Sequence, residues 1–180
     1  EGMKALMGED FFIQELELFF DRTTKDFLWS DYYNHPNEPD HHVPFLFNYS
    51  SKPWLTQKWT RQICKVAYGD DVLGLCGNED VGQMSAWYVL AACGLYPVCP
   101  GDTRYEISSP VFEKTEIQVG EGNTFIIRAN RNTPENTYIQ SAKLNGTDYT
   151  RCYLDYRDIM KGGVLELETV SYTHLRAHET

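Results

Sequence analysis

The segment Gly77–Gly82 places three polar side chains, Asn78, Glu79 and Asp80, between two glycines, directly before an apolar helical pattern. Both glycines allow the backbone to turn where a Cβ would clash, and the turn holds the polar groups near the positive end of the helix dipole. A carboxylate held in this way can act as a general acid or base, and Asp80 is the candidate. An acidic residue before a helix is also a common N-cap, so the turn alone favours catalysis and capping by Asp80 about equally.

A second polar segment, His35–His42, combines two prolines with amide, carboxylate and imidazole groups. Because proline fixes φ, the side chains between the prolines are held in place. Asn37 and Glu38 offer hard oxygen ligands, which suit Ca²⁺ or sugar hydroxyls. His41 and His42 suggest zinc, but the regular helical or CxxC spacing of zinc sites is absent. The segment alone favours an ordinary polar loop with one hydrogen-bonded histidine.

Helical patterns surround both polar segments as far as about Pro97. Apolar residues recur at three- and four-residue spacing within Phe11–Phe20. The segment Ser51–Tyr68 predicts a capped helix with proline in its first turn. Met84–Cys93 predicts a further helix, which Gly94 ends. The two polar segments are therefore expected in loops between helices.

From about Arg104 the apolar spacing changes to two, which is typical of strands. The predicted strands are 105–107, 116–119, 124–129, 138–144 and 164–168. Asn145-Gly146 predicts a type I′ hairpin turn after the fourth of these strands. The second part of the chain is therefore expected to be an antiparallel β segment.

Composition excludes several classes of function. The chain has 180 residues, 42% of them hydrophobic, and a net charge of −10, with no basic run that would suit a nucleic acid. It contains no apolar run long enough to span a bilayer. The aromatic content of 14% suits stacking on sugar rings as well as a core. Five cysteines without CxxC spacing argue against zinc, and their odd number argues against a complete disulfide framework.

Four segments together resemble the family 92 glycoside hydrolases, which are calcium-dependent, inverting exo-α-mannosidases. The segments that carry the resemblance are His35–Val43, Lys52–Thr60, Gly77–Leu90 and Gly94–Pro100. The resemblance implies a mixed fold, in which the end of an (α/α)6 barrel is followed by the antiparallel β segment. It divides the chain into 1–103, the last part of the barrel, and 104–169, the β segment. It also implies mannose-containing glycans as substrates and a periplasmic, extracellular or cell-surface location.

The resemblance assigns roles to the residues of both polar segments. Asp80 matches the catalytic base that activates the attacking water. Many relatives carry a carboxylate where this chain has Asn78, which leaves Asp80 as the candidate base. Glu38 and Asp80 are the expected contacts of Ca²⁺. The expected substrate-binding residues are Asn37, Glu38, His41, His42, Asn78, Glu79 and Gln83.

Both ends of the chain raise expectations of their own. The first residue is not methionine, so we expect the protein to begin upstream and to carry the general-acid glutamate of the family there. Val170–Thr180 matches one translated frame of a transposase-type sequencing adapter, and we expect this segment to be an artefact with no structural role. The alternatives to a mannosidase are an (α/α)6-barrel hydrolase of another α-glycoside and a non-catalytic, calcium-dependent sugar-binding module. The oligomeric state is left open.

Overall fold

The computed structural model describes residues 2–172, and its first part is helical. Helix α1 spans Gly2–Met7 and helix α2 spans Glu9–Asp21. Gly8, with φ of 82°, separates the two helices. Phe12 and Phe20 of α2 are buried, as their spacing predicts, whereas Phe11 is half exposed. None of the helices in this part of the chain is both long and apolar enough to cross a bilayer.

Two further helices surround the polar segments. Helix α3 spans Trp54–Val66, and no side chain caps its N-terminus, so the cap expected near Ser51 is not formed. Helix α4 spans Gln83–Cys93 and ends at Gly94. Gly94 has φ of 89°, the left-handed conformation that glycine adopts without strain at a helix C-terminus. The helix predicted at Met84–Cys93 is thus confirmed, with one residue added at its start.

Within the part of the chain that the structure describes, eight strands follow α4. They are β1 (Leu95–Tyr96), β2 (Arg104–Ile107), β3 (Lys114–Gln118), β4 (Thr124–Asn130), β5 (Tyr138–Leu144), β6 (Thr147–Asp148), β7 (Tyr153–Asp155) and β8 (Gly163–Val170). A short helix, α5 (Tyr156–Met160), lies between β7 and β8. One sheet has the strand order β1-β2-β7 and the other has the order β3-β4-β8-β5-β6.

The larger sheet is mixed, which corrects the expectation of a wholly antiparallel segment. β4 and β8 run parallel, with Phe125 opposite Gly163 and Asn130 opposite Glu168. Every other strand pair is antiparallel among the described residues. The β5–β6 hairpin turns at Asn145 and Gly146, whose φ values of 52° and 79° confirm the type I′ turn.

Strand β1 joins the two hydrophobic cores. Leu95 packs into the core of the sheets, and the next residue, Tyr96, packs into the core of the helices. Successive residues of a strand point to opposite sides, which is how two residues can serve both cores. β1 pairs with β2 across the predicted boundary at residue 103, and the division into domains there stays a prediction.

The C-terminal segment differs in part from its expected behaviour. Val170 belongs to β8 and lies opposite Tyr138, so it has a place in the sheet and the expectation of no structural role is wrong there. Tyr172 is 46% exposed, and its ring centroid lies 5.5 Å from that of Tyr138. The remainder of the segment, from residue 173 onward, lies outside the described residues.

Candidate active site

The turn that carries Asp80 is built on an unfavourable backbone. Asp80, Val81 and Gly82 are consecutive residues with positive φ, at 48°, 57° and 91°. Glycine tolerates this region, but a β-branched residue such as Val81 is a conformational outlier there. Each strained residue costs about 1–3 kcal/mol, and such residues cluster at active sites and ligand clamps. The turn therefore holds Asp80 in a position that a relaxed loop would not give it.

The N-terminus of α4 is satisfied without the carboxylate of Asp80. The amides of Gln83 and Met84 donate to the carbonyls of Asp80 and Glu79, at 3.2 and 3.3 Å. The amide and hydroxyl of Ser85 donate to the carboxylate of Glu79, at 3.2 and 2.8 Å. Glu79, not Asp80, thus supplies the acidic cap. Within residues 2–172, no donor contacts the exposed carboxylate of Asp80.

The loop His35–His42 is held by a buried chain of hydrogen bonds. The hydroxyl of Tyr68 donates to the carbonyl of Met84 at 3.0 Å, so it accepts from Nε2–H of His35 at 2.7 Å. Nδ1 of His35 then accepts from the hydroxyl of Tyr33, also at 2.7 Å. Burial, with a smaller effect of His41, lowers the pKa of His35 to about 2. His35 is therefore neutral, with one tautomer fixed by its neighbours.

His41 is equally confined. Its Nε2–H donates to the carbonyl of His35 at 3.0 Å, and its Nδ1 accepts from the side-chain amide of Gln83 at 3.1 Å. The indole of Trp87 donates to the carbonyl of His41 at 2.9 Å. Burial lowers the pKa of His41, which keeps the ring neutral. Both ring nitrogens bond to protein groups, so neither is free for the substrate contact expected of His41, and that contact stays a prediction.

The two polar segments touch at Gly77. A Cβ on Gly77 would lie 2.9 Å from Cβ of Pro36, closer than real side chains approach. Gly77 is therefore needed for close packing of the turn on the loop, whereas Gly82 is needed for its positive φ. This contact, together with the hydrogen bonds from Tyr68 and Trp87, fixes the distance between the loop and the N-terminus of α4.

A cavity of about 630 Å³ opens where the two segments meet. Its polar lining residues are Glu38, His41, His42, Asp80, Gln83 and Tyr96. Its apolar lining includes Trp87 and Leu90 of α4, which lie on the same helix face as Gln83. No lysine or arginine among the described residues lines the cavity, so its two carboxylates make it acidic.

The free polar groups in this cavity are almost all hydrogen-bond acceptors. Oε1 of Glu38 is buried and has no partner among residues 2–172. Nδ1–H of His42 donates to the carbonyl of Pro39 at 2.8 Å, which leaves Nε2 as an acceptor. Asp80 adds a free carboxylate. Such a wall is complementary to groups that donate hydrogen bonds, such as sugar hydroxyls, or to a cation.

Five of the eight predicted site residues line this cavity, namely Glu38, His41, His42, Asp80 and Gln83. The other three are exposed and do not line it: Asn37, Asn78 and Glu79. The side chain of Glu79 is engaged at α4, and substrate contacts of Asn37 and Asn78 stay predictions.

Sequence reasoning missed Tyr96 and the buried partners of the loop. Tyr96 lies in the segment Gly94–Pro100, which carried the family resemblance but received no role. Tyr68 stacks parallel to Trp87 at 6.0 Å and contacts the edge of the His35 ring. The only available signal was their aromatic character, which is also what a core requires.

Part of the cavity lining has the chemistry of a calcium ligand. Ca²⁺ takes roughly six to eight oxygen ligands, preferably carboxylates and carbonyls. The buried, unpartnered oxygen of Glu38 has the right chemistry, and Asp80 and Gln83 bring further free oxygens to the same cavity. Within residues 2–172, no three histidine, cysteine, aspartate or glutamate side chains form a metal-binding group. These oxygens suit Ca²⁺ in type, but Glu38, Asp80 and Gln83 supply fewer of them than a shell of roughly six to eight ligands requires.

An acidic, acceptor-lined cavity flanked by aromatic side chains is the kind of site that carbohydrate-active enzymes present to sugars. Comparison with known proteins agrees with this class. Residues 1–171 match the sequence profile of the glycosyl hydrolase family 92 catalytic domain. The chain therefore belongs to glycoside hydrolase family 92.

Individual relatives support the same assignment. An uncharacterized secreted glycosidase of Arthroderma benhamiae is 37% identical over 134 residues, which are 73% of this chain and 17% of that protein. The GH92 α-mannosidase BT3965 of Bacteroides thetaiotaomicron superposes with a TM-score of 0.83 at 37% identity, over 90% of this chain and 22% of that one. The inverting mannosidase BT2199 of the same organism gives a TM-score of 0.83 at 35% identity, over 93% of this chain and 25% of that one. The chain thus spans no more than a quarter of the length of these relatives.

Proposed function

We propose that this chain forms one side of the active site of an exo-α-mannosidase, which removes terminal α-linked mannose from glycans with inversion and with the help of Ca²⁺. One observation carries the proposal: Glu38 and Asp80, from separate segments, supply free carboxylate oxygens to a single cavity. The family assignment and the mannosidases among the structural relatives support it. By the same resemblance, helices α1–α4 belong to the end of an (α/α)6 barrel.

Asp80 is proposed as the general base. Its carboxylate is exposed and contacts no donor within residues 2–172, so it can accept a proton from a water molecule in the cavity. In inverting hydrolysis this water attacks C1 of the sugar on the face opposite the leaving group, while a general acid protonates the departing oxygen. The two carboxyl groups of such a pair lie about 6.5–9.5 Å apart to leave room for the water. We propose that the general acid comes from another part of the polypeptide.

Glu38 is proposed to contact Ca²⁺ through Oε1. A buried carboxylate oxygen without a partner is costly unless a cation or a donor fills its site. Oxygens of Asp80, sugar hydroxyls and water would complete the coordination. When bound, Ca²⁺ would help to orient the 2- and 3-hydroxyls of mannose and to favour the distorted ring of the transition state.

His42 and the aromatic residues are proposed to position the sugar. Nε2 of His42 is a free acceptor for a hydroxyl, and the hydroxyl of Tyr96 is both donor and acceptor. Burial raises the pKa of Tyr96, so its hydroxyl stays protonated.

The relative from Arthroderma benhamiae is named a secreted glycosidase, which supports an extracellular or periplasmic location for this protein.

The test uses the intact protein that contains this chain, assayed on α-mannobiosides with and without EDTA. The initial anomer of the released mannose is followed by NMR. We expect hydrolysis with inversion, loss of activity in the chelator and recovery with added Ca²⁺. Full activity in EDTA, or release of mannose with retained configuration, would contradict the mechanism. Hydrolysis of a different α-glycoside, with none of α-mannobiosides, would favour the alternative of an (α/α)6-barrel hydrolase with another substrate. Binding of mannose without hydrolysis would favour a non-catalytic sugar-binding module.

A further inference from the structure

Gln83, the first residue of α4, presents only one of its two polar atoms to the cavity. Its side-chain nitrogen lies 3.1 Å from Nδ1 of His41 and 3.4 Å from the hydroxyl of Tyr96, so both amide hydrogens are used inside the protein. Its Oε1 has no partner within residues 2–172 and is not one of the buried unpartnered atoms. Oε1 is therefore the atom that meets solvent in the cavity.

The orientation of this amide depends on the tautomer of His41. The carbonyl of His35 cannot donate, so Nε2 of His41 must carry the hydrogen of their 3.0 Å contact. A neutral imidazole has a single N–H, which leaves Nδ1 as an acceptor. Only the nitrogen of the Gln83 amide can donate to it. A reversed amide would set Oε1 against the lone pair of Nδ1 and would place an N–H₂ group in the cavity.

We propose that His41 is a positioning residue, which fixes the side-chain amide of Gln83 so that Oε1 is offered to a hydroxyl of the bound sugar. The choice of ligand rests on the proposed function. His41 does not touch the sugar; it acts through Gln83. The carbonyl of His35 sets the tautomer of His41, and the ring of His35 is itself held by buried hydrogen bonds to Tyr33 and Tyr68.

This arrangement determines which chemistry the cavity selects. With Oε1 outward, Gln83 joins Glu38, Asp80 and Nε2 of His42 as an acceptor, and the wall suits the hydroxyl donors of a sugar. With the amide reversed, a donor would stand among these acceptors and would compete with the sugar hydroxyls for them. A site built to accept from a hydroxyl loses affinity when its acceptor is replaced by a donor.

The test is a double-mutant cycle in the intact protein, with α-mannobioside hydrolysis as the readout. His41→Phe removes the acceptor, Gln83→Met removes the amide, and a third variant carries both changes. Each single change is expected to lower kcat/KM by about 10- to 100-fold, mainly through KM, because a hydrogen bond in the bound complex is lost. The double variant is expected to lose little more than the worse single variant. His41→Asn keeps an acceptor near the position of Nδ1 and is expected to recover most of the loss.

A merely structural His41 would give a different result. Its effect would multiply with that of Gln83→Met, and multiplied losses in an active enzyme would overturn the inference. A second measurement does not need activity: ¹⁵N NMR of the intact protein with labelled histidine. We expect His41 in the Nε2–H tautomer, with an Nδ1 resonance that shifts in Gln83→Met. An Nδ1–H tautomer would overturn the inference. An intact protein that does not hydrolyse α-mannosides would refute the proposed function, while the tautomer would still decide the role of His41.

Discussion

The loop His35–His42 and the turn Gly77–Gly82 meet at one cavity, but different forces hold them in place. In the loop, His35 and His41 are buried and use their ring nitrogens in hydrogen bonds with the protein. In the turn, Asn78, Glu79, Asp80 and Val81 are all exposed, and the fixed element is the backbone, which keeps positive φ from Asp80 to Gly82. The loop depends on side chains, and the turn depends on its main chain and its glycines.

This difference explains how each segment can present a reactive group. The loop gives Glu38 a buried oxygen without a partner, which is suited to a ligand that brings its own charge or donors. The turn keeps Asp80 in contact with water, and Glu79 takes over the capping that would otherwise occupy a carboxylate. In the proposed mechanism, the group that binds is thus buried, and the group that exchanges a proton with water is exposed.

The largest effect on stability is expected in the loop. His35→Leu leaves the hydroxyl of Tyr33 buried without a partner and removes the contact with Tyr68. We expect the free energy of unfolding of the intact protein to fall by about 3 kcal/mol, as when a buried hydrogen-bond network is broken. The matched control in the turn is Asn78→Ala, which should change the free energy of unfolding by less than about 0.5 kcal/mol. Equal losses in denaturant unfolding would show that the two segments are not held differently.

The loop should also make stability depend on pH. The pKa of His35 is lowered to about 2, against an ordinary value of 6.5, so the unfolded chain binds the additional proton between these values. The free energy of unfolding is then highest above pH 6.5. It falls as the pH decreases below that value, by about 1.4 kcal/mol per pH unit for one histidine. His41, whose pKa is also lowered, adds to the same trend. Urea unfolding between pH 7 and pH 5 measures the slope, which should be smaller in His35→Leu.

A smaller effect of opposite sign is expected in the turn. Val81 has φ of 57° and its side chain is fully exposed, so Val81→Asn relieves strain without loss of packing. We expect a gain of about 0.5–1 kcal/mol in the free energy of unfolding, because asparagine tolerates the left-handed region. Val72→Asn is the control, since Val72 is equally exposed but does not have positive φ. A gain in both variants would show that the added polar side chain, and not the relief of strain, causes it. A loss in Val81→Asn alone would show that the valine is needed in the turn.

The turn was predictable from sequence, and much of the loop was not. Two glycines and a following apolar pattern identified the turn before α4, and Asn145-Gly146 identified the hairpin, because both signals are local. The roles of His35 and His41 depend on Tyr68 and Gln83, which are distant in sequence, and a polar loop gives no sign that its histidines are buried. The parallel pairing of β4 with β8 was missed for the same reason. Strand β1 was also missed, because its two residues are too few to show the alternation of apolar and polar positions that identifies a strand.

Asp80 is proposed to act as a catalytic base and not as a helix cap. The most direct test compares Asp80→Asn with Glu79→Gln in the intact protein, measuring both kcat on an α-mannobioside and the free energy of unfolding. We predict that Asp80→Asn lowers kcat by about 10²- to 10⁴-fold and leaves stability within about 0.5 kcal/mol. We predict that Glu79→Gln, which weakens the cap at Ser85, costs about 0.5–1 kcal/mol of stability and keeps kcat within a few-fold of the original enzyme. An Asp80→Asn variant that stays active but loses the stability of a cap would contradict this account.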